Sequence, residues 1–243
     1  MTVHYSFRLE GTAERAREVV ALVRQRAVEL GFGRVSEVLE VGSQEAMEAG
    51  KGMADWLEIA AARYVEVGEG EERESVGVRP SEAVAFYCSP GVGCEASPMG
   101  LGRYPKIVEA RVGGVDVEVV TGVGDGWRWL GHCKTQYASN PRDGGLENFC
   151  ACHLRLVGLL DYAKQLGIVA DVQDEGGYWE QRDRVALEDV VQNYNRLMAG
   201  FVGSMKDMLG RLGRQAVGPI TDYPNYEHLE AEGRDPRRQR PER

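Results

Sequence analysis

The chain has 243 residues, 43% hydrophobic and 28% charged, with a formal net charge of -9. That length suits one large domain or two small ones, and the acidic balance argues against duplex nucleic acid or anionic membrane as the main partner, because phosphate binding needs a basic face. No apolar run approaches the roughly 20 residues that span a bilayer, and the opening MTVHYSFRLEG lacks the layout of a signal peptide, so a cytoplasmic chain with reduced thiols is expected.

Val3, Tyr5, Phe7 and Leu9 alternate with His4, Ser6, Arg8 and Glu10, the period of a half-buried strand. Thr12 then reads as a helix N-cap. Ala16, Val19, Val20, Val23, Ala27 and Leu30 recur at helical spacing, and Gly31 and Gly33 close the helix. With a strand over 34–41, residues 3–41 form one β-α-β unit. The stretch 42–52 is polar, with a short helix as one reading. Residues 56–67 are ambiguous, leaning to strand near the end, and 68–77 (GEGEERESVG) read as an acidic solvated loop.

Residues 83–88 (AVAFYC) have the apolar run of a buried strand. Residues 89–105 hold four Gly and three Pro and are read as an irregular loop. That loop is no nucleotide loop, since no Gly-Lys-Ser/Thr follows and Gly91-Val92-Gly93 has no third Gly in register. Two short strands, 107–112 and 115–120, flank Gly113-Gly114 as a hairpin.

The region 127–183 concentrates the chemistry, with three of the four Trp, three of the five Cys and two of the four His. It predicts a strand over 127–137, a polar loop, a helix over about 147–165, and a strand over 168–172. The helix should bury Phe149, Cys152, Leu156, Leu159, Leu160 and Ala163. A last helix runs over 186–212, its inner stripe marked by Leu187, Val190, Val191, Tyr194, Leu197, Met198, Phe201, Met205 and Met208. Gly200 and Gly203 are candidate kinks. The order strand, helix, Leu-Gly, strand occurs twice, at 5–42 and 129–176. The expected fold is α+β: a mixed, largely antiparallel sheet with two β-α-β units, helices on one face and a long C-terminal helix. A single domain over 1–216 is expected, with a two-half pseudo-repeat (1–68 and 83–216) as one option, followed by a poorly ordered tail over 217–243.

Cys133, Cys150, Cys152, His132 and His153 are N and S ligand types, but Cys150 and Cys152 lie about 200° apart around a helix. No metal and no cofactor are therefore expected, and the cysteines read as small core residues. A ligand site fits the loop better. Lys134, Tyr137, Arg142 and Asn148 lead into a helix N-terminus, whose free N–H groups and partial positive charge suit a small anion; Arg103 could line the same pocket. Asp174 to Asp183 reads either as a carboxylate-lined cleft wall or as a strand-to-helix turn with Trp179 on the core and Asp183 starting the last helix. The first expectation is a binding or interaction protein whose small anionic ligand or protein partner sits at the 134–148 loop. The alternative is a hydrolase or transferase using Cys133 with His153, with Asp174 orienting the ring, or the Asp174/Glu175 pair.

Overall fold

The computed structural model describes residues 1–42, 59–67, 70–112, 115–210 and 216–235. Expectations that fall on 43–58, Gly113-Gly114, 211–215 and 236–243 lie outside those residues. Among the described residues no helix is long and apolar enough to cross a membrane.

The chain is α+β. Its main sheet contains β1 (Thr2–Leu9), β2 (Arg34–Val35), β3 (Leu39–Val41), β6 (Glu82–Ser89), β7 (Ser97–Arg103), β10 (Trp127–Lys134) and β11 (Val169–Asp174). The order is β11-β1-β10-β7-β6-β2, with β3 also on β6. Every one of these pairings is antiparallel. β10 and β11 both flank β1 and so run in the same direction. The helix between them, α2 (Gly145–Gln165), makes a split β-α-β crossover, and α1 (Ala13–Glu29) crosses from β1 to β2 in the same way. Helices α1 and α2 lie side by side on one face. Val3, Tyr5, Phe7, Trp127 and Trp129 meet Val19, Val20, Val23, Leu156, Leu159 and Leu160 in one core cluster. The alternation of polarity along β1 and β10 sends His4, Arg8, Leu130 and His132 to the opposite face, where they are exposed.

The two Leu-Gly echoes are the same local device. Thr12 caps α1 through its side chain, which accepts from the Arg15 N–H. At the far end the N–H of Gly31 donates to Val28 and that of Phe32 to Ala27, while in α2 Gly167 donates to Lys164 and Ile168 to Ala163. Both glycines have positive φ, 73° and 76°, which closes each helix with a left-handed residue and turns the chain back to the sheet.

Four expectations are corrected. The acidic stretch 68–77 is not a solvated loop in its described part. β5 (Gly70–Val78) pairs over its whole length with β4 (Ile59–Val67), because a partner strand satisfies its backbone whatever its charge. Residues 97–103 are the regular strand β7 despite Gly100 and Gly102. An added Cβ at Gly100 would overlap Ala85 on the paired strand, so the glycine permits close packing and does not break the strand. The hairpin β8 (Ile107–Val112) with β9 (Val115–Val120) forms as expected.

The third correction concerns the long helix α4 (Arg184–Gly210), which follows the one-turn helix α3 (Tyr178–Gln181). Its buried residues are Leu187, Val191, Asn195, Ala199, Gly200 and Gly203. Val190, Leu197, Phe201 and Met208, read as its inner stripe, are 37%, 56%, 60% and 57% exposed. α4 carries no break at its glycines. They form a small-residue seat for α5 (Tyr226–Gly233), where an added Cβ at Gly200 would fall 2.7 Å from the Gly233 carbonyl carbon. The tail 217–243, expected to be poorly ordered, folds on α4 in its described part, 217–235, with a cluster of Ala199, Ile220, Tyr223 and Tyr226.

Candidate functional site

Three strand ends meet at one edge of the sheet, because register sets Thr2 opposite Lys134 and Val3 opposite Asp174. The chain leaves β10 at Lys134, passes through a 3-10 turn (Gln136–Ser139) and a second one (Pro141–Asp143), and enters α2 at Gly145. The expected loop and the expected strand end therefore share an edge, and His153 reaches down to both from α2.

His153 and Asp174 have side chains that are both 0% exposed. His153 Nε2 lies 3.0 Å from Asp174 Oδ2, and His153 Nδ1 lies 3.0 Å from Thr135 Oγ1. Asp174 also accepts the N–H of Gly176 at 2.8 Å and of Trp179 at 3.0 Å. Burial pushes the Asp174 carboxyl up, but the His153 hydrogen bond and charge together with the two backbone donors outweigh it, so it lies below the usual carboxylate value. The side-chain types are those of a nucleophile-His-Asp relay, yet Thr135 is fully buried, so its hydroxyl is out of reach of a dissolved substrate. The relay ties β10, α2 and β11 together.

The thiol alternative does not assemble. Cys133 points its sulfur at the Glu95 carbonyl, 3.5 Å away, and burial pushes its thiol up to about 12. Both His153 nitrogens are occupied by other groups. The Asp174/Glu175 pair does not assemble either, because Asp174 ends β11 buried against His153 while Glu175, in the turn that follows, faces outward. Glu175 is half exposed and accepts the Thr2 N–H at 2.7 Å. The plain turn reading of 174–183 describes the rest: Trp179 packs on the main core, and Asp183 Oδ1 accepts from Val185 and Ala186 at the start of α4. Among the described residues no group of three or more His, Cys, Asp or Glu is placed to hold a metal ion.

The predicted ligand residues separate. Lys134 Nζ sits 4.9 Å over the Tyr137 ring. Asn148 spends its amide on the carbonyls of Val92 and Ala138, both at 3.0 Å, and is a stitch between loops. Arg142 is exposed. Arg103 lies at the other end of the sheet, about 23 Å away along the eight residues of β10. There it covers Trp127 at 5.1 Å and donates to the Gly11 carbonyl at 3.2 Å. It borders a separate polar hollow of about 400 Å³, in which Lys106 is paired with Asp125.

What the loop does build is a cleft of about 350 Å³ between residues 139–146, α4 and the segment 223–232. Its floor is a fixed polar cluster. Ser139 Oγ donates to the Gln136 carbonyl at 2.6 Å, accepts from Asn195 Nδ2 at 2.9 Å and meets Tyr223 OH at 2.9 Å. Gln136 continues the network, donating to Asn195 Oδ1 at 3.2 Å and accepting the Met1 amine at 2.8 Å. Burial pushes the Tyr223 hydroxyl up to about 12, so it stays protonated and able to donate. Arg196, held by Glu232 at 2.9 Å, and the exposed His228 stand on the wall. Sequence reading singled out none of these residues, placing them only as loop, helix or tail positions. The one available signal was Asn195, a polar residue four positions after Val191 on an otherwise apolar stripe. The chain matches no family model, no curated protein and no solved structure, so its functional reading rests on its own residues.

Proposed function

We propose that the protein binds a small, anion-bearing polar molecule in the cleft beneath α5, using one wall of the 134–148 loop. The observation that carries this is the floor: two hydroxyls and an amide, Ser139, Tyr223 and Asn195, held in place by mutual hydrogen bonds at the base of a concavity large enough for a metabolite-sized ligand. Arg196, paired with Glu232 at 2.9 Å, presents N–H donors at the wall, and Gly145 and Leu146 bring the N-terminus of α2 to the rim. A polar floor already fixed by its own hydrogen bonds takes a ligand without the cost of ordering it first. The acidic balance of the chain favours small ligands over polyanions.

Thermal unfolding and titration calorimetry with inorganic phosphate, succinate, an α-amino acid and a neutral sugar test the reading. At least one of the three charged probes should raise Tm in a saturable way. Tyr223→Phe and Asn195→Ala should each abolish that shift. No saturable shift with any probe at millimolar concentration, or a shift unchanged in both variants, overturns it.

A further inference from the structure

On the face of the main sheet turned away from α1 and α2, two histidines stand side by side. His4 on β1 and His132 on β10 are direct register partners of an antiparallel pair, and both are exposed. Side chains directly opposite each other on one face start from Cβ atoms about 4.5–5.5 Å apart, so the two rings share one patch of solvent. Their centres lie 6.0 Å apart, with the planes tilted by 37°. Among the described residues no hydrogen bond or ion pair takes up their ring nitrogens. His153 differs, since Thr135 and Asp174 hold both of its nitrogens. The pair is also firmly mounted. β1 lies between β10 and β11, and β10 between β1 and β7, so both strands are interior to the sheet and keep the two side chains in register.

We propose that His4 and His132 together chelate one divalent transition-metal ion of the kind that imidazole prefers, zinc above all, with water filling the remaining positions. Two imidazoles on one tetrahedral zinc, at Zn–N of about 2.0–2.1 Å, have ring centres about 5 Å apart. The observed 6.0 Å closes to that distance by a small rotation of two exposed side chains that nothing else anchors. The surroundings favour a cation. Asp171 stands on the same face of β11, opposite Ser6 in register, and the chain carries a net charge of -9. Lys134, two residues on from His132, is drawn over the Tyr137 ring at 4.9 Å. The bound ion bridges β1 and β10, and the bridge exists only in the folded chain because the two histidines are far apart in sequence. Metal binding therefore stabilises the native state by mass action. A closed structural zinc site uses four protein ligands; with two, the ion stays in contact with water and exchanges freely, so the pair is a reversible clip on the sheet. Neither histidine lines the cleft beneath α5, and the two sites are independent.

The test titrates the untagged full chain with zinc chloride by calorimetry and follows thermal unfolding with and without the ion. The expected result is saturable binding of a single equivalent, with a rise in Tm that EDTA reverses. His4→Ala and His132→Ala, both at exposed positions, should each weaken binding by about tenfold or more, the loss that even an outer-shell partner carries, and should each remove the rise in Tm. Zinc held as tightly in His132→Ala as in the parent would place the ion at His4 and the chain's N-terminus. Zinc unaffected by both substitutions would place it on the thiols. Either result, or no saturable binding below millimolar zinc, overturns the proposal.

Discussion

At the scale of single residues, the decisive group is Asp174. A carboxylate with no exposed side-chain surface persists only because every near group favours its charge: the His153 ring and two backbone N–H groups. Removing the ring by His153→Ala leaves that charge unpaired, and should cost about 3–5 kcal/mol in urea unfolding. Thr135→Val, which keeps the shape and loses one hydroxyl, should cost less, about 1–2 kcal/mol. The pH dependence has a fixed sign. Asp174 titrates below its unfolded value, so its contribution is whole above about pH 4 and is lost as pH falls through the lower folded value. Unfolding free energy measured from pH 6 down to pH 2 should therefore fall in the acid limb, and Asp174→Asn should flatten that limb. An unchanged limb would assign the acid loss to other carboxylates.

At the scale of elements, α4 shows how a helix face is chosen. Two of its large apolar side chains, Leu197 and Phe201, stay more than half exposed, while Gly200 and Gly203 are buried. The reason is close approach. Gly200 admits the Gly233 backbone, and at Gly233 an added Cβ would overlap the Arg196 carbonyl. Gly233→Ala should therefore push α5 off α4, lowering stability by about 1–3 kcal/mol and exposing the amides of 226–233 to faster hydrogen exchange. Gly203→Ala is the contrast. Its new methyl would meet the ends of the Glu230 and Arg234 side chains, which can swing away, so its cost should be smaller. Equal costs would show that small size at both sites is incidental.

At the scale of the whole molecule, the main core and the cleft are separable. The core lies between the sheet and α1 and α2, whereas one whole cleft wall comes from residues after 216. Ending the chain at residue 216 should leave the near-ultraviolet signal of Trp127 and Trp129 intact and abolish the ligand-induced rise in Tm. Collapse of the aromatic signal would show instead that the C-terminal segment is needed for the core itself.

Residue order alone determined what depends on neighbours along the chain. The alternation of Val3, Tyr5 and Phe7 made a strand, Thr12 and the two Leu-Gly stops bounded helices, and the run from Phe149 to Ala163 showed its buried face, since period and capping act over a few residues. The strand end at Asp174 comes beside the loop after Lys134 only through β1, which pairs with both strands. Only the tertiary structure decided that 70–78 and 97–103 are strands, because their backbones are satisfied by the partner strands 59–67 and 82–89 and by nothing within the segments themselves. It alone turned α4 toward its glycines, because burial there is set by what packs on a helix rather than by its most apolar side. The cleft was illegible for the same reason: Ser139, Asn195 and Tyr223 are 56 and 28 positions apart in sequence and become one polar floor only when α4 and the last segment close over the turn.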